Sequence, residues 1–376
     1  MKKKALISSL TLGLFLLVFF SCPGKGKKEA LNEQLMIGIK IYDYEGDLTQ
    51  LFEEWRSLGI NTAFVGESLL PNRNFHMLAK KFGIKVFVII PIFYDPEELH
   101  RDPDLYAITH LGETAIEEWV EFVCPTRENY REQRITHIKK AVQELNPDGI
   151  SIDFIRYFVF WEKVYPDRSL NTLPNTCFDN HCLLKFQKET GIEIPEQFTS
   201  VLQKAEWIMN NHSKEWTEWK CSVITGMVQE ITKEAKKIKP NILVNVHAVP
   251  WRQKDYGGAI KIIAGQDLAG ISAHTDFISP MCYSHMLKRK PNWISSVVED
   301  MGNLTHSRIV PSIQVKEAYL NDILSESEFK TALDEALKPP SRGVIFWSWD
   351  GLEKDPEKKL LIKSLLNNQM EKDNTS

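Results

Sequence analysis

Cysteine is scarce in this chain, with six in 376 residues, and that excludes a fold framed by disulfides. One of the six, Cys22, closes an N-terminal apolar stretch. The other five (Cys124, Cys177, Cys182, Cys221 and Cys282) are an odd number and cannot all pair. An excess of charge of one sign is also lacking: the formal net charge is −4 and the positive residues are dispersed, so nothing points to nucleic acid. No glycine-rich phosphate loop follows the first apolar strand. The residues there, Tyr42-Asp43-Tyr44-Glu45-Gly46, are bulky and acidic, which argues against a dinucleotide site. No G-x-S-x-G elbow is present, and serine hydrolase chemistry is not expected. There is no internal repeat, and the histidines sit in no short metal-ligand motif.

The ends of the chain stand apart from the rest. Lys2, Lys3 and Lys4 precede an apolar run over residues 5–20 that ends on Ser21-Cys22. A basic start, a short apolar stretch and a small residue describe an export signal. Ending on cysteine resembles the bacterial lipoprotein signal, although Phe19 stands where leucine is commonest. An uncleaved membrane anchor is the alternative, but the run is shorter than the roughly 20 residues a span prefers. Residues 1–22 are therefore expected to be a signal, with Cys22 lipidated and the protein exported and held at the cell envelope. Residues 23–35 read as a polar, basic tether, 36–370 as one domain, and 371–376 as a polar tail. Membrane headgroups explain the basic cluster in the tether.

From Met36 on, short apolar runs alternate with helical segments. Strands are predicted over residues 37–42, 60–66, 86–93, 150–155, 242–249, 277–283, 309–315 and 344–349. Asp47 is placed to cap the first helix, and Gly59, Gly83 and Gly149 follow helix ends. Runs that are apolar throughout indicate strands buried on both faces, as in parallel sheets. Eight of them with helical intervals predict an α/β fold, a (β/α)8 TIM barrel. The connections over 95–125 and 158–212, after strands three and four, are too long for simple turns. They should form walls on the barrel face where the strands end.

Strand ends supply the candidate site. Strand four, Gly149-Ile150-Ser151-Ile152-Asp153, breaks off at a carboxylate followed by Arg156 and Tyr157. Strand two delivers Glu67, and strand five His247 and Trp251. Strand six delivers Tyr283 and His285, strand seven Gln314 and Glu317, and strand eight Trp347, Trp349 and Asp350. Carboxylates with flat aromatic faces suit a polar, ring-shaped substrate, and ten Trp with ten Tyr agree with that. Glycoside cleavage needs two carboxyl groups, one ionised and one acting as an acid. Asp153 suits the ionised role because Arg156 favours its charge. Asp350, beside two indoles, Glu67 and Glu317 are the candidate partners. Arg156, Tyr157, His247, Trp251, Tyr283, Gln314, Trp347 and Trp349 are candidates for holding the sugar. A structural ion pair for Asp153 and core packing for several of the aromatics are the bland alternatives. This chemistry requires no cofactor and no metal. Cys177 and Cys182, with His181 between them, could bridge; a metal there is weakly indicated, since no second close pair accompanies them.

DGISIDFIRY at residues 148–157, FVCPTRENYRE at 122–132 and CFDNHCLLKFQKETGIEIP at 177–195 resemble uncharacterised glycoside-hydrolase-like TIM-barrel families. So do ISPMCYSHM at 278–286 and GVIFWSWDGL at 343–352. The strand-four motif is also similar to the nucleophile strand of α-galactosidase and α-amylase type barrels. That resemblance implies a glycosidase with Asp153 as its catalytic carboxylate. Two departures stand out. The amylase-type acid at the end of strand five has no counterpart in NVHAVPWRQKD, and Asp179 stands where those families often carry a further cysteine. No disulfide or metal is inherited on that basis. The competing functions are a noncatalytic carbohydrate-binding lipoprotein and a metal-dependent hydrolase using His247, His285 and Asp153.

Overall fold

The computed structural model describes residues 34–373. The expected signal, Cys22 and most of the tether lie outside the described residues. From Leu35 on, the chain forms one compact unit. Eight parallel strands carry it: β1 Met36–Ile41, β2 Thr62–Val65, β3 Lys85–Pro91, β4 Gly149–Asp153, β5 Leu243–Ala248, β6 Phe277–Pro280, β7 Arg308–Ile309 continued by Ser312–Gln314, and β8 Gly343–Trp347. Around them run α1 Leu48–Ser57, α2 Arg73–Phe82, α3 Glu128–Leu145, α4 Ser213–Ile238, α5 Leu268–Ser272, α6 Trp293–Leu304, α7 Glu326–Ala336 and α8 Pro356–Asp373. The last helix thus extends into the expected polar tail. Among the described residues no helix is long and apolar enough to cross a membrane.

Neighbouring strands pair in sequence order from β1 to β6, and β8 returns to pair with β1. β7 closes the ring although it is interrupted at Val310-Pro311. Its first half pairs with β6 and its second half with β8. The Val310 N–H donates to Ile278 at 3.0 Å, and Ile345 donates to the Pro311 carbonyl at 2.9 Å. The closed order makes this a TIM barrel and excludes the doubly wound open sheet. The strands begin and end within a few residues of the expected positions, except that β6 stops three residues early.

Local chemistry explains the element ends. Asp47 caps α1, its carboxylate accepting from Thr49 N–H at 2.7 Å. Gly83 ends α2 at φ +69°. Asn146, at φ +45°, does the same for α3. Gly149 therefore serves β4 rather than the helix: a Cβ there would lie 2.3 Å from the Phe87 ring.

Successive side chains of a strand alternate between faces, and here the inward positions form three layers. Met36, Phe64, Phe87, Ile89, Phe277, Val310 and Ile345 fill the floor as an apolar cluster of their own. Above it lies a buried polar layer. Asn245 Nδ2 donates to Ser151 Oγ at 2.9 Å, Ser279 Oγ donates to Asn245 Oδ1 at 2.8 Å, and Ser151 Oγ meets His247 Nε2 at 3.0 Å. The third layer opens at the strand ends and holds Lys40 and Asp153.

The β1–β8 seam depends on Gly343, which sits at φ +140° with its missing Cβ 1.9 Å from the Met36 carbonyl oxygen. Backbone cannot yield as a flexible side chain does. Gly343→Ala is expected to lower stability by about 1–3 kcal/mol or more, read as a lower urea midpoint at unchanged slope. An unchanged midpoint would show that the seam bears no such constraint.

Candidate functional site

The third layer borders a cavity of about 300 Å³ at the ends of the strands. Asp153 and Arg156 reach it from β4 and the turn after it, Lys40 and Tyr42 from β1, Tyr283 from the segment after β6, and Trp347 from β8. Phe154 turns the chain after Asp153 in the left-handed region, at φ +49°. A bulky residue is costly there, by about 1–3 kcal/mol. The turn is held by Asp153 Oδ1, which accepts from Phe154 N–H at 2.8 Å. The Phe154 ring also stacks on Tyr94 at 4.7 Å.

The long loops supply the rest of the wall. From the connection after β3, a short hairpin (Ile116–Glu117 with Val120–Glu121) presents Trp119. From the connection after β4 come Trp161 and Glu162. Trp119 Nε1 donates to the hydroxyl of Tyr319, from the loop after β7, at 2.9 Å across the rim. Tyr283 stacks on Trp347 with ring centroids 4.4 Å apart and planes 16° apart.

Two carboxyl groups therefore face one cavity, and their surroundings push them in opposite directions. Burial works against charge on Asp153. His247, Lys40, the Phe154 N–H and Arg156 outweigh it and hold the carboxyl below its ordinary value. His247 is itself forced down to about 3, by burial first and then by Lys40. It is neutral at pH 7, so Lys40, the Phe154 N–H and Arg156 hold the charge of Asp153 there. Burial pulls Lys40 down to about 8 against the attraction of Asp153. Glu162 goes the other way: burial, with the repulsion of Asp153, raises it to about 7 despite Arg156. Its Oε2 is buried with no hydrogen-bond partner. One carboxyl held ionised and another raised to near neutrality give the division of labour that acid-assisted bond cleavage requires.

The structure brings Asp153, Arg156, Tyr283 and Trp347 together, as expected from the strand ends. The other expected residues do not line the cavity. Glu67 points at His137 on α3, 2.7 Å from its Nε2. Glu317 accepts from Leu324 N–H at 2.7 Å and closes its own loop. Asp350 is exposed and bound to Lys316 and Ser348. Burial tends to raise it, but those two bonds keep it below its ordinary value, the reverse of an acid catalyst. Gln314 is occupied by Met286 N–H and the Lys316 carbonyl. Tyr157 is buried on the far side of its turn, with Lys220 Nζ 4.6 Å from its ring centre. Trp251 packs on Tyr256 and Trp349 on Trp55. His247 lies in the polar layer below. His285 is bound to Glu328 and the Asp322 carbonyl, so His247, His285 and Asp153 do not assemble a metal site.

Lys40 and Glu162 also line the cavity, although neither was among the residues expected there. Lys40 was visible as a lysine inside an apolar strand, two positions before Tyr42 and so on the same face. Glu162 was visible only as an acid directly after the aromatic-rich run Tyr157-Phe158-Val159-Phe160-Trp161.

Elsewhere, a surface groove of about 910 Å³ is lined only by residues 180–204 of the loop after β4. It receives nothing from a strand end. All five described cysteines are free and buried. Among the described residues, one set of ligand atoms lies close enough together to hold an ion: Cys124, Cys177, Asp179 and Cys182.

No protein-family model and no curated protein sequence matches the chain. Solved structures do match it in fold. The glycoside hydrolase domain of PgaB (BpsB) from Bordetella bronchiseptica superposes with a TM-score of 0.65 at 12% identity, over 87% of this chain and 98% of that one. A β-galactosidase from Marinomonas ef1 gives 0.65 at 11% identity, over 88% of this chain and 59% of its own. The α-L-fucosidase isoenzyme 2 of Paenibacillus thiaminolyticus gives 0.53 at 11%, over 88% and 48%. The chain thus has the TIM-barrel fold of glycoside hydrolase domains. It spans nearly all of the first of these chains and about half of the other two.

The opposed carboxyls can be read directly. With glutamate labelled at the side-chain carboxyl, one carbon resonance is expected to titrate near pH 7 and to vanish in Glu162→Gln. Because folding raises this group from 4.5 to about 7, its stabilising contribution is complete below pH 4.5 and is lost as pH rises through 7. Glu162→Gln should therefore gain stability over the wild type between pH 5 and 8, by up to about 3 kcal/mol. All glutamates titrating below pH 5.5 would refute the assignment.

Proposed function

We propose that the protein hydrolyses glycosidic bonds, with Asp153 as the ionised carboxylate facing the anomeric carbon and Glu162 as the acid that protonates the leaving oxygen. The observation that carries this reading is the pair of carboxyls in one cavity, one held charged and the other raised to near neutrality. Lys40 and Arg156 favour the charge on Asp153, and burial lets Glu162 carry a proton up to about pH 7. Tyr283 stacked on Trp347, together with Tyr42, Trp119 and Tyr319, offers flat faces for a sugar ring. A cavity of about 300 Å³ is at the small end of ligand sites. It favours one terminal sugar over a chain threaded through. The fold shared with glycoside hydrolase domains supports the same class. Carbohydrate binding without cleavage would need only one carboxylate in the cavity, and Glu162 provides the second.

The test is release of reducing ends from a panel of oligosaccharides. Asp153→Asn is expected to lower kcat/KM by about 10³-fold or more, and Glu162→Gln by about 10²–10⁴-fold. Wild-type kcat/KM should fall above about pH 7 as Glu162 loses its proton, and that limb should be absent in Glu162→Gln. Cleavage that survives in both variants would sink the site assignment. Binding of a sugar by the wild type with no cleavage of any member would favour the binding protein.

The signal-like N-terminus carries a second, separate proposal: the enzyme works outside the cytoplasm, tethered through a lipid on Cys22. Labelled palmitate should enter the full chain in bacterial cells and be lost in Cys22→Ser. Equal labelling of both would refute the anchor.

A further inference from the structure

The two loops that wall the cavity meet again on the far side of Tyr157, at a cluster of three cysteines and one aspartate. Cys124 ends the connection after β3; Cys177, Asp179 and Cys182 lie in the connection after β4. The three thiols are completely buried and Asp179 is nine-tenths buried. Their sulfur and carboxylate atoms all fall within 4.8 Å of one another. Cys124 and Cys182 approach to 3.1 Å, and Cys177 Sγ lies 3.5 Å from Asp179 Oδ2. A tetrahedral zinc with bonds of about 2.0–2.3 Å needs ligand atoms separated by roughly 3.5–4 Å, which is the scale of this cluster.

The surroundings suit thiolates as well as thiols. The Ile108 N–H donates to Cys177 Sγ at 3.2 Å. The Thr126 hydroxyl lies 3.2 Å from Cys124 Sγ and 3.1 Å from Cys182 Sγ. Arg127 donates to Asp179 Oδ2 at 2.7 Å, and Asp179 Oδ1 accepts from Cys182 N–H at 2.6 Å. The carboxylate is thereby aimed and its charge partly balanced. A Cys124–Cys182 disulfide would engage two of the four groups and leave Cys177 and Asp179 unused.

We infer that Cys124, Cys177, Asp179 and Cys182 form a structural zinc site that clamps the loops after β3 and β4 to each other. Sulfur donors select zinc over hard cations, and four protein ligands leave no open position for substrate or water. Binding displaces the three thiol protons as the thiolates take up the metal. The metal acts at a distance from the chemistry, by fixing the segment that carries Arg156, Trp161 and Glu162.

The experiment is metal analysis of the purified full-length chain by plasma mass spectrometry, followed by replacement with cobalt. One equivalent of zinc is expected in the wild type and in the control Cys282→Ser. Cys177→Ser should lose it, and Arg127→Ala should lower zinc affinity by about 10-fold. The cobalt form should show sulfur-to-metal charge transfer with the intensity of three thiolates and visible bands of tetrahedral cobalt. That readout stands even if Cys177→Ser does not fold. A metal-free wild type that takes up no cobalt would overturn the site. So would a Cys124–Cys182 disulfide found by mass analysis before reduction, or zinc retained in Cys177→Ser.

Discussion

A lysine buried inside a barrel must find a counter-charge or surrender its proton, and Lys40 is 1% exposed at the heart of this one. Asp153, three strands away around the ring, supplies the counter-charge through space, while Lys40 Nζ donates to the Tyr283 hydroxyl at 3.4 Å. Each charge makes the other tolerable, and the pair sets the terms for everything near it. His247 below is denied a proton by burial and by the ammonium. Glu162 above is raised to about 7 because burial and the Asp153 charge both oppose a second carboxylate. The contrast between the two carboxyls thus follows from their surroundings: cations and the Phe154 N–H outweigh burial at Asp153, whereas burial prevails at Glu162.

Most of the fold was legible because a parallel barrel writes itself plainly in sequence. Strands buried on both faces read as continuous apolar runs, and the capping roles of Asp47 and Gly83 are local chemistry that tertiary context left alone. The break in β7 was harder to read. Pro311 lacks an N–H, but nothing in one strand tells that its two halves will serve different neighbours.

The site was legible only in part, for a reason visible in Glu67, Glu317 and Asp350. All three follow strands, as active-site residues of barrels do, yet each found a partner nearer than the cavity: a histidine on α3, the backbone of its own loop, and a lysine on the neighbouring loop. Position along the chain says where a carboxylate starts, whereas competing donors decide where it points. Glu162 was missed by the converse. It comes from the interior of a long loop, and only the folded wall shows that one oxygen of its carboxyl has been left without a donor. The cysteines teach the same lesson at longer range, since Cys124 stands far in sequence from the three residues it joins.

The pairing of Met36 with Gly343 has a consequence for the order of events in folding. The first strand of the ring is held by the last, so the barrel cannot close until nearly the whole chain is available. Contacts of such long sequence separation form slowly. Until then Lys40 stays solvated, Asp153 has no ammonium beside it, and the cavity has no floor. The cavity is therefore completed late, when the first and last strands meet.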